Sequence, residues 1–117
     1  MEKVKDYYEI YSIPREFKIF SKTIKVFFDE KLADRFGYNG LSNFKESTIL
    51  IQPSCESYYR DYEDVKITFW HEVVHFVLKN LNYDEMAEDE EFIRLFAPAL
   101  RQVIATSKYT ERIIHAK

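Results

Sequence analysis

Two histidines lie four residues apart in the stretch from Trp70 to Phe76, which reads H-E-x-x-H at its centre. On an α-helix, residues i and i+4 project from the same face, so His71 and His75 can bind one metal ion. Glu72 lies beside them, where it can act as the general base of a metalloprotease without binding the metal. A zinc ion lowers the pKa of a water molecule, and Glu72 would accept its proton as that water attacks a carbonyl group. The spacing therefore predicts a zinc site with Glu72 as the catalytic residue.

The residues around this motif are almost all apolar. They are Val65, Ile67, Phe69, Trp70, Val73, Val74, Phe76, Val77, Leu78 and Leu81. A helix that is apolar nearly all round is buried, and ionisable side chains on such a helix are costly unless something compensates them. A metal ion would do so, whereas a chance match to a short motif would leave a metal-free fold. The apolar surroundings favour the metal site.

The helix that carries the motif has expected limits at both ends. Asp61 or Asp64 is the expected N-cap, and Asn80 or Asn82 is the expected end. A second helix is predicted from about residue 88 to residue 106, because apolar residues recur there at helical spacing. Pro98 lies inside this second pattern and is expected to kink or break the helix.

The residues before the motif alternate between apolar and polar, which is typical of half-buried strands. Their apolar members are Phe17, Ile19, Ile24, Val26 and Phe28. A turn at residues 21–23 would separate two strands, although one bent strand fits as well. Gly37 and Gly40 mark a further turn, after which residues 41–44 and 48–52 are expected to form a hairpin. These elements predict one α+β domain over residues 1–117: a small twisted antiparallel sheet packed on the H-E-x-x-H helix and a second, C-terminal helix.

A catalytic zinc ion normally has three protein ligands and one open position. The metzincin continuation can be excluded, because Leu78 and Leu81 occupy the places of its Gly and His. The third ligand should therefore come from the second helix or the acidic stretch before it. Glu90 lies three residues before Ile93 and continues the stripe that should face the core, whereas Glu91 falls about 100° away and is the alternative. Further candidates are Asp84, Glu88, Asp89 and His115.

The composition limits the class of protein. The chain has 117 residues, of which 46% are hydrophobic, so one folded domain is expected. Its formal charge of -3 argues against a general nucleic-acid binder. No stretch is long enough for a membrane span or resembles a signal peptide, and Cys55 alone cannot form an intrachain disulfide. The expected location is the cytoplasm, and the expected partner is a protein or peptide substrate, with no nucleic acid and no membrane.

The stretch from about Ile13 to Ile104 resembles a known group, the small and often phage-encoded H-E-x-x-H proteins related to minimal gluzincins and ImmA/IrrE-type peptidases. Strands leading to a hairpin, then F-W-H-E-V-V-H, then an acidic stretch and a helix carry the resemblance. The ImmA/IrrE-type pattern continues as E-x-x-A-N-x-F-A, and the sequence from Glu90 to Ala97 matches it at Glu, Phe and the final Ala. It differs at Ile93 and Arg94, and no helix-turn-helix module is predicted.

The resemblance implies a gluzincin-type peptidase with one zinc ion per chain, held by His71, His75 and Glu90. It further implies that residues 48–52 form an edge strand that binds an extended peptide, and that a Tyr or Arg stabilises the oxyanion. Candidates for that last role are Tyr58, Tyr59, Tyr83 and Arg94. If the protein is phage-encoded, its location would be the host cytoplasm. The alternative function is a zinc-binding phage accessory or counter-defence protein with little or no peptidase activity.

Overall fold

The computed structural model describes residues 6–55 and 58–110; His115, one candidate for the third ligand, lies outside them. Five helices and four strands follow one another within this part of the chain. In order they are α1 Tyr7–Tyr11, β1 Glu16–Ile19, β2 Lys22–Phe28, α2 Leu32–Phe36, β3 Gly40–Asn43, β4 Thr48–Ile51, α3 Tyr62–Asn80, α4 Asp84–Ala87 and α5 Glu90–Thr106. The predicted α+β class is therefore confirmed.

The four strands form one sheet in the order β1-β2-β4-β3. The pairs β1/β2 and β3/β4 are antiparallel, as expected for two hairpins, but β2 and β4 pair in parallel. The sheet is therefore mixed, and the prediction of an antiparallel sheet is wrong. Alternation along a strand shows which side chains are buried, but it does not show which neighbour the strand pairs with or in which direction. The segment from Asp29 to Asn39 connects β2 to the second hairpin. It allows β4, the later strand of that hairpin, to pair with β2.

Helix α3 covers one face of this sheet and forms the main core with it. Four inward side chains of β2 and β4 are at most 1% exposed: Ile24, Val26, Ile49 and Ile51. They meet Val65, Phe69, Val73 and Phe76 of α3 in one apolar cluster. The Asp61 side chain accepts a hydrogen bond from the Asp64 backbone nitrogen at 2.8 Å, so Asp61 is the N-cap of α3. The helix that carries the motif is thus fixed along its length by burial and at its start by a cap.

Helix α5 packs on the other side of α3 and begins close to the motif. Asp89 caps it by accepting a hydrogen bond from the Phe92 backbone nitrogen at 3.1 Å. Ile93 and Ala97 are fully buried against Val74 of α3, as their spacing predicts. The helix runs through Pro98, so a break at that residue is ruled out. Its first turn therefore lies beside the histidines of α3.

A buried arginine ties the start of α3 to the end of β4. Arg60 is 2% exposed, and its guanidinium group donates to the Gln52 carbonyl oxygen at 2.8 Å and to the Asp64 carboxylate at 2.9 Å. It also donates to the Thr68 hydroxyl group and, at 3.4 Å, to the carbonyl oxygen of Asn39, immediately before β3. Because these bonds satisfy a charge removed from water, Arg60 holds β3 and β4 in place against α3.

Among the described helices, none is long and apolar enough to cross a membrane.

Candidate metal centre

His71 and His75 project from the same face of α3, with their ring centres 5.0 Å apart. The Glu90 carboxylate, in the first turn of α5, faces both rings. Its Oε2 lies 3.0 Å from His71 Nε2, and its Oε1 lies 2.8 Å from His75 Nε2. One ligand atom from each residue falls within 4.8 Å of the other two, so the group could hold a metal ion. These are the three residues that the sequence predicts as ligands.

The contact of His75 with Ala87 turns the second ring nitrogen of His75 toward Glu90. His75 Nδ1 lies 2.5 Å from the Ala87 carbonyl oxygen, a contact that requires the proton on Nδ1. In the neutral ring, Nε2 then carries a lone pair, and this lone pair faces a carboxylate oxygen of Glu90. Two acceptors at such a distance repel each other unless a proton or a metal ion lies near both. Two imidazole nitrogens and a carboxylate oxygen are ligands that zinc accepts.

Helix α4 has a role that the sequence did not predict. Its last residue, Ala87, is 1% exposed and supplies the carbonyl oxygen that orients the His75 ring. A backbone acceptor on the second nitrogen of a metal-binding histidine fixes its tautomer and makes it a better ligand. The sequence predicted only an acidic stretch here, because a backbone carbonyl group that acts as an acceptor leaves no signal in residue type.

Glu72 is buried beside the two histidines and is 6% exposed. The Ser42 hydroxyl group of β3 donates a hydrogen bond to Glu72 Oε1 at 2.6 Å. Burial raises the pKa of the Glu72 carboxyl group, and the hydrogen bond from Ser42 and the nearby histidines oppose this rise. A raised pKa favours uptake of a proton, as a general base requires. Sequence analysis did not find Ser42, because no local pattern indicates a contact across 30 residues.

Gly40 lets β3 lie directly on α3 at this point. A Cβ atom at Gly40 would lie 2.6 Å from Thr68 Cγ2 and 2.8 Å from Glu72 Oε2. Such distances are too short for a Cβ atom unless Thr68 or Glu72 shifts, so glycine is the residue that fits without strain. The sequence analysis assigned Gly40 to a turn, but it is the first residue of β3. The absence of a side chain at Gly40 allows β3 to approach α3 closely.

We expect Gly40→Ala to lower the free energy of unfolding by about 1–3 kcal/mol, because the added methyl group overpacks this contact. Thr68→Ser removes the methyl group that it would meet and keeps the hydroxyl group that Arg60 binds. The double variant should therefore regain part of the loss. Urea unfolding of the four proteins measures this. A Gly40→Ala protein as stable as the wild type would contradict the close approach.

A cleft of about 650 Å³ opens in front of the candidate metal centre. Residues 37–42 form one wall, and α3 and the start of α5 form the other. Its lining includes His71, Glu72, His75, Ala87, Glu88 and Glu90. Of the other acidic candidates, Asp84 pairs with Lys79 at 3.3 Å, Asp89 caps α5, and Glu91 is exposed outside the ligand group.

The strand on the cleft is not the one that was expected. Residues 48–52 were predicted to form an edge strand, but β4 lies between β2 and β3. That prediction is wrong, and the edge strand beside the candidate metal centre is β3. The hairpin of β3 and β4 was predicted correctly. Which of its two strands lies at the edge depends on the parallel pairing of β4 with β2, and the sequence does not reveal that pairing.

The four candidates for oxyanion stabilisation do not line the cleft. Tyr58, for example, donates its hydroxyl hydrogen to Asn39 Oδ1 at 3.2 Å and is not part of the lining. Tyr38 is the tyrosine that lines the cleft, and it is 56% exposed. It lies between Gly37 and Asn39 in the loop before β3, a position that the sequence analysis treated as a turn.

Comparison of the chain with protein-family models, with curated proteins and with solved structures finds no match.

Proposed function

We propose that the protein is a zinc-dependent peptidase that cleaves an extended polypeptide in the cleft beside β3. The single observation that carries the proposal is the convergence of His71, His75 and Glu90 next to a buried Glu72. A purely structural zinc site has no need of a buried carboxylate that is not a ligand. The proposal also agrees with the resemblance to gluzincin and ImmA/IrrE-type peptidases.

In this proposal His71 Nε2, His75 Nε2 and the Glu90 carboxylate hold zinc, and Ala87 orients His75 through its carbonyl oxygen. Zinc would act as a Lewis acid that polarises the substrate carbonyl group and lowers the pKa of the attacking water. Glu72 accepts a proton from the attacking water through its carboxylate and passes it to the leaving nitrogen. Ser42 keeps Glu72 in one orientation through the bond to Oε1. The hydroxyl group of Tyr38 is the proposed donor to the oxyanion, because Tyr38 lines the cleft.

The edge of β3 is the proposed binding surface for the polypeptide backbone. The Gln52 backbone nitrogen donates to the Asn39 carbonyl oxygen at 2.9 Å, which fixes the hydrogen-bonded pairs of the β3/β4 ladder. Since these pairs alternate, Leu41 and Asn43 bond to β4, whereas Gly40 and Ser42 turn their backbone groups away from it. A substrate strand could bond to those groups and place a carbonyl group near the metal centre.

The test combines metal analysis with hydrolysis of an unstructured protein such as casein. We expect about one zinc ion per chain by elemental mass spectrometry, and hydrolysis that a chelator abolishes and added zinc restores. Hydrolysis that survives complete removal of metal would overturn the proposal. Zinc bound without hydrolysis of any unstructured protein or peptide would leave a zinc-binding accessory protein instead.

A further inference from the structure

The face of the sheet opposite α3 carries a row of apolar side chains that ends at the edge strand. Gly40 and Ser42 face α3, so Leu41 between them faces the other way. Leu41 lies opposite Leu50 of β4, and Leu50 lies opposite Phe27 of β2. Phe27 is 44% exposed, and both leucines are partly exposed. In the part of the chain that the structure describes, the row Phe27-Leu50-Leu41 therefore crosses three strands on an exposed face and ends at β3, the edge strand.

We infer that Leu41 determines specificity: the substrate is an extended peptide with a large apolar residue opposite Leu41, flanked by residues that are not acidic. This inference rests on the proposed function and names the substrate class of that site. A strand added to β3 alternates its side chains between the two faces of the sheet. The residue opposite Leu41 continues the apolar row, and cross-strand apolar pairs of this kind stabilise a sheet.

The charges in the cleft determine what the neighbouring residues of the peptide can be. Those neighbours face the same side as Gly40 and Ser42, and so they face the cleft. Within residues 6–55 and 58–110, the Asp, Glu, Lys and Arg side chains that line the cleft are all carboxylates: Glu72, Glu88 and Glu90. A metal ion would offset Glu72 and Glu90 but not Glu88, which is exposed. Like charges at close range repel each other, so neutral or basic residues fit these positions and acidic ones do not.

The test uses acetylated decapeptides in which one leucine moves along a background of serine, threonine and lysine. Cleavage by the zinc-loaded full chain is located by mass spectrometry. We expect the cut at one fixed distance from the leucine. Changing that leucine to serine should lower kcat/KM about five- to tenfold, and a glutamate beside it should lower kcat/KM similarly. Cuts that ignore the position of the leucine would overturn the inference while leaving the proposed function intact.

Variants of the row identify the residue responsible. Leu41→Thr keeps a strand-forming residue and should reduce the preference for leucine over serine to less than about twofold. Phe27→Thr removes similar apolar area two strands away, about 10 Å from Leu41, and should keep the full preference. An unchanged preference in Leu41→Thr would overturn the inference. If Leu41→Thr does not fold, Leu41→Val is the second variant, and an unchanged preference for leucine in Leu41→Val would overturn the inference.

Binding separates this inference from the proposed reaction. Fluorescein-labelled versions of the same peptides are titrated into the zinc-loaded Glu72→Gln protein, and fluorescence anisotropy is measured. The same leucine preference in binding, with no cleavage by the wild type, would support the inference and overturn the proposed peptidase activity.

Size-exclusion chromatography tests whether a second copy of the chain, and not a peptide, covers the row in solution. A wild-type dimer that Leu41→Thr converts to a monomer, with unchanged peptide selectivity, would make the row a subunit contact and overturn the inference.

Discussion

Replacing Glu72 with glutamine is expected to abolish hydrolysis while the protein keeps its fold and its zinc. Glutamine has nearly the same shape, and its side-chain oxygen can still accept the hydrogen bond that Ser42 donates to Glu72. It cannot accept a proton from water, so kcat should fall at least about 1,000-fold. The free energy of unfolding should not decrease, because the change removes a carboxylate that is only 6% exposed.

The measurements for this prediction are initial rates on casein, zinc content and thermal unfolding. Glu85→Gln is the matched control, since it makes the same chemical change at an exposed position on α4 outside the cleft lining. It should retain activity within about twofold, as expected for a surface substitution. Wild-type rates in Glu72→Gln would show that another group accepts the proton, and the proposed mechanism would fail.

Replacing Glu90 with alanine is expected to weaken zinc binding at least about 100-fold, since it removes one of three ligands. The Glu90 carboxylate approaches both histidines within 3.0 Å. The neighbouring Glu91 is exposed and lies outside the ligand group, so Glu91→Ala should bind zinc like the wild type. His71→Ala should lose the metal as well. Competition with a chromophoric chelator gives the dissociation constants. A larger effect for Glu91→Ala than for Glu90→Ala would show that Glu91, and not Glu90, is the third ligand.

The sequence was sufficient to predict the parts of the fold that depend on local pattern. Capping and spacing predicted Asp61 or Asp64 as the cap of α3 and Asn80 or Asn82 as its end, and the structure has Asp61 and Asn80. The predicted burial of Ile93 and Ala97 on α5 is confirmed. The phase of α5 also favoured Glu90 over Glu91, and the structure places Glu90 against both histidines. These features depend on residues within a few turns of one helix, where periodicity is informative.

The sequence was not sufficient for features that depend on pairing between distant segments. The parallel pairing of β2 with β4 puts β3 at the edge, and no alternation pattern distinguishes this order from its reverse. Ser42, Gly40 and Ala87 contact the site through that arrangement or through a backbone carbonyl group. A backbone acceptor leaves no trace in residue type, and a serine in a strand is common. The contacts that support the candidate site were therefore visible only in three dimensions.

The separation of these contacts along the chain has a consequence for the order of folding. The three candidate ligands lie between residues 71 and 90, on α3 and α5, which only the short helix α4 separates, and their contacts span at most 19 residues. The contact that orients Glu72 spans 30 residues and requires the sheet to have formed. Shorter loops close at a lower entropic cost, so the α3–α5 unit can assemble before β3 docks. We expect the candidate metal ligands to come together at an earlier stage of folding than the contact between Ser42 and Glu72.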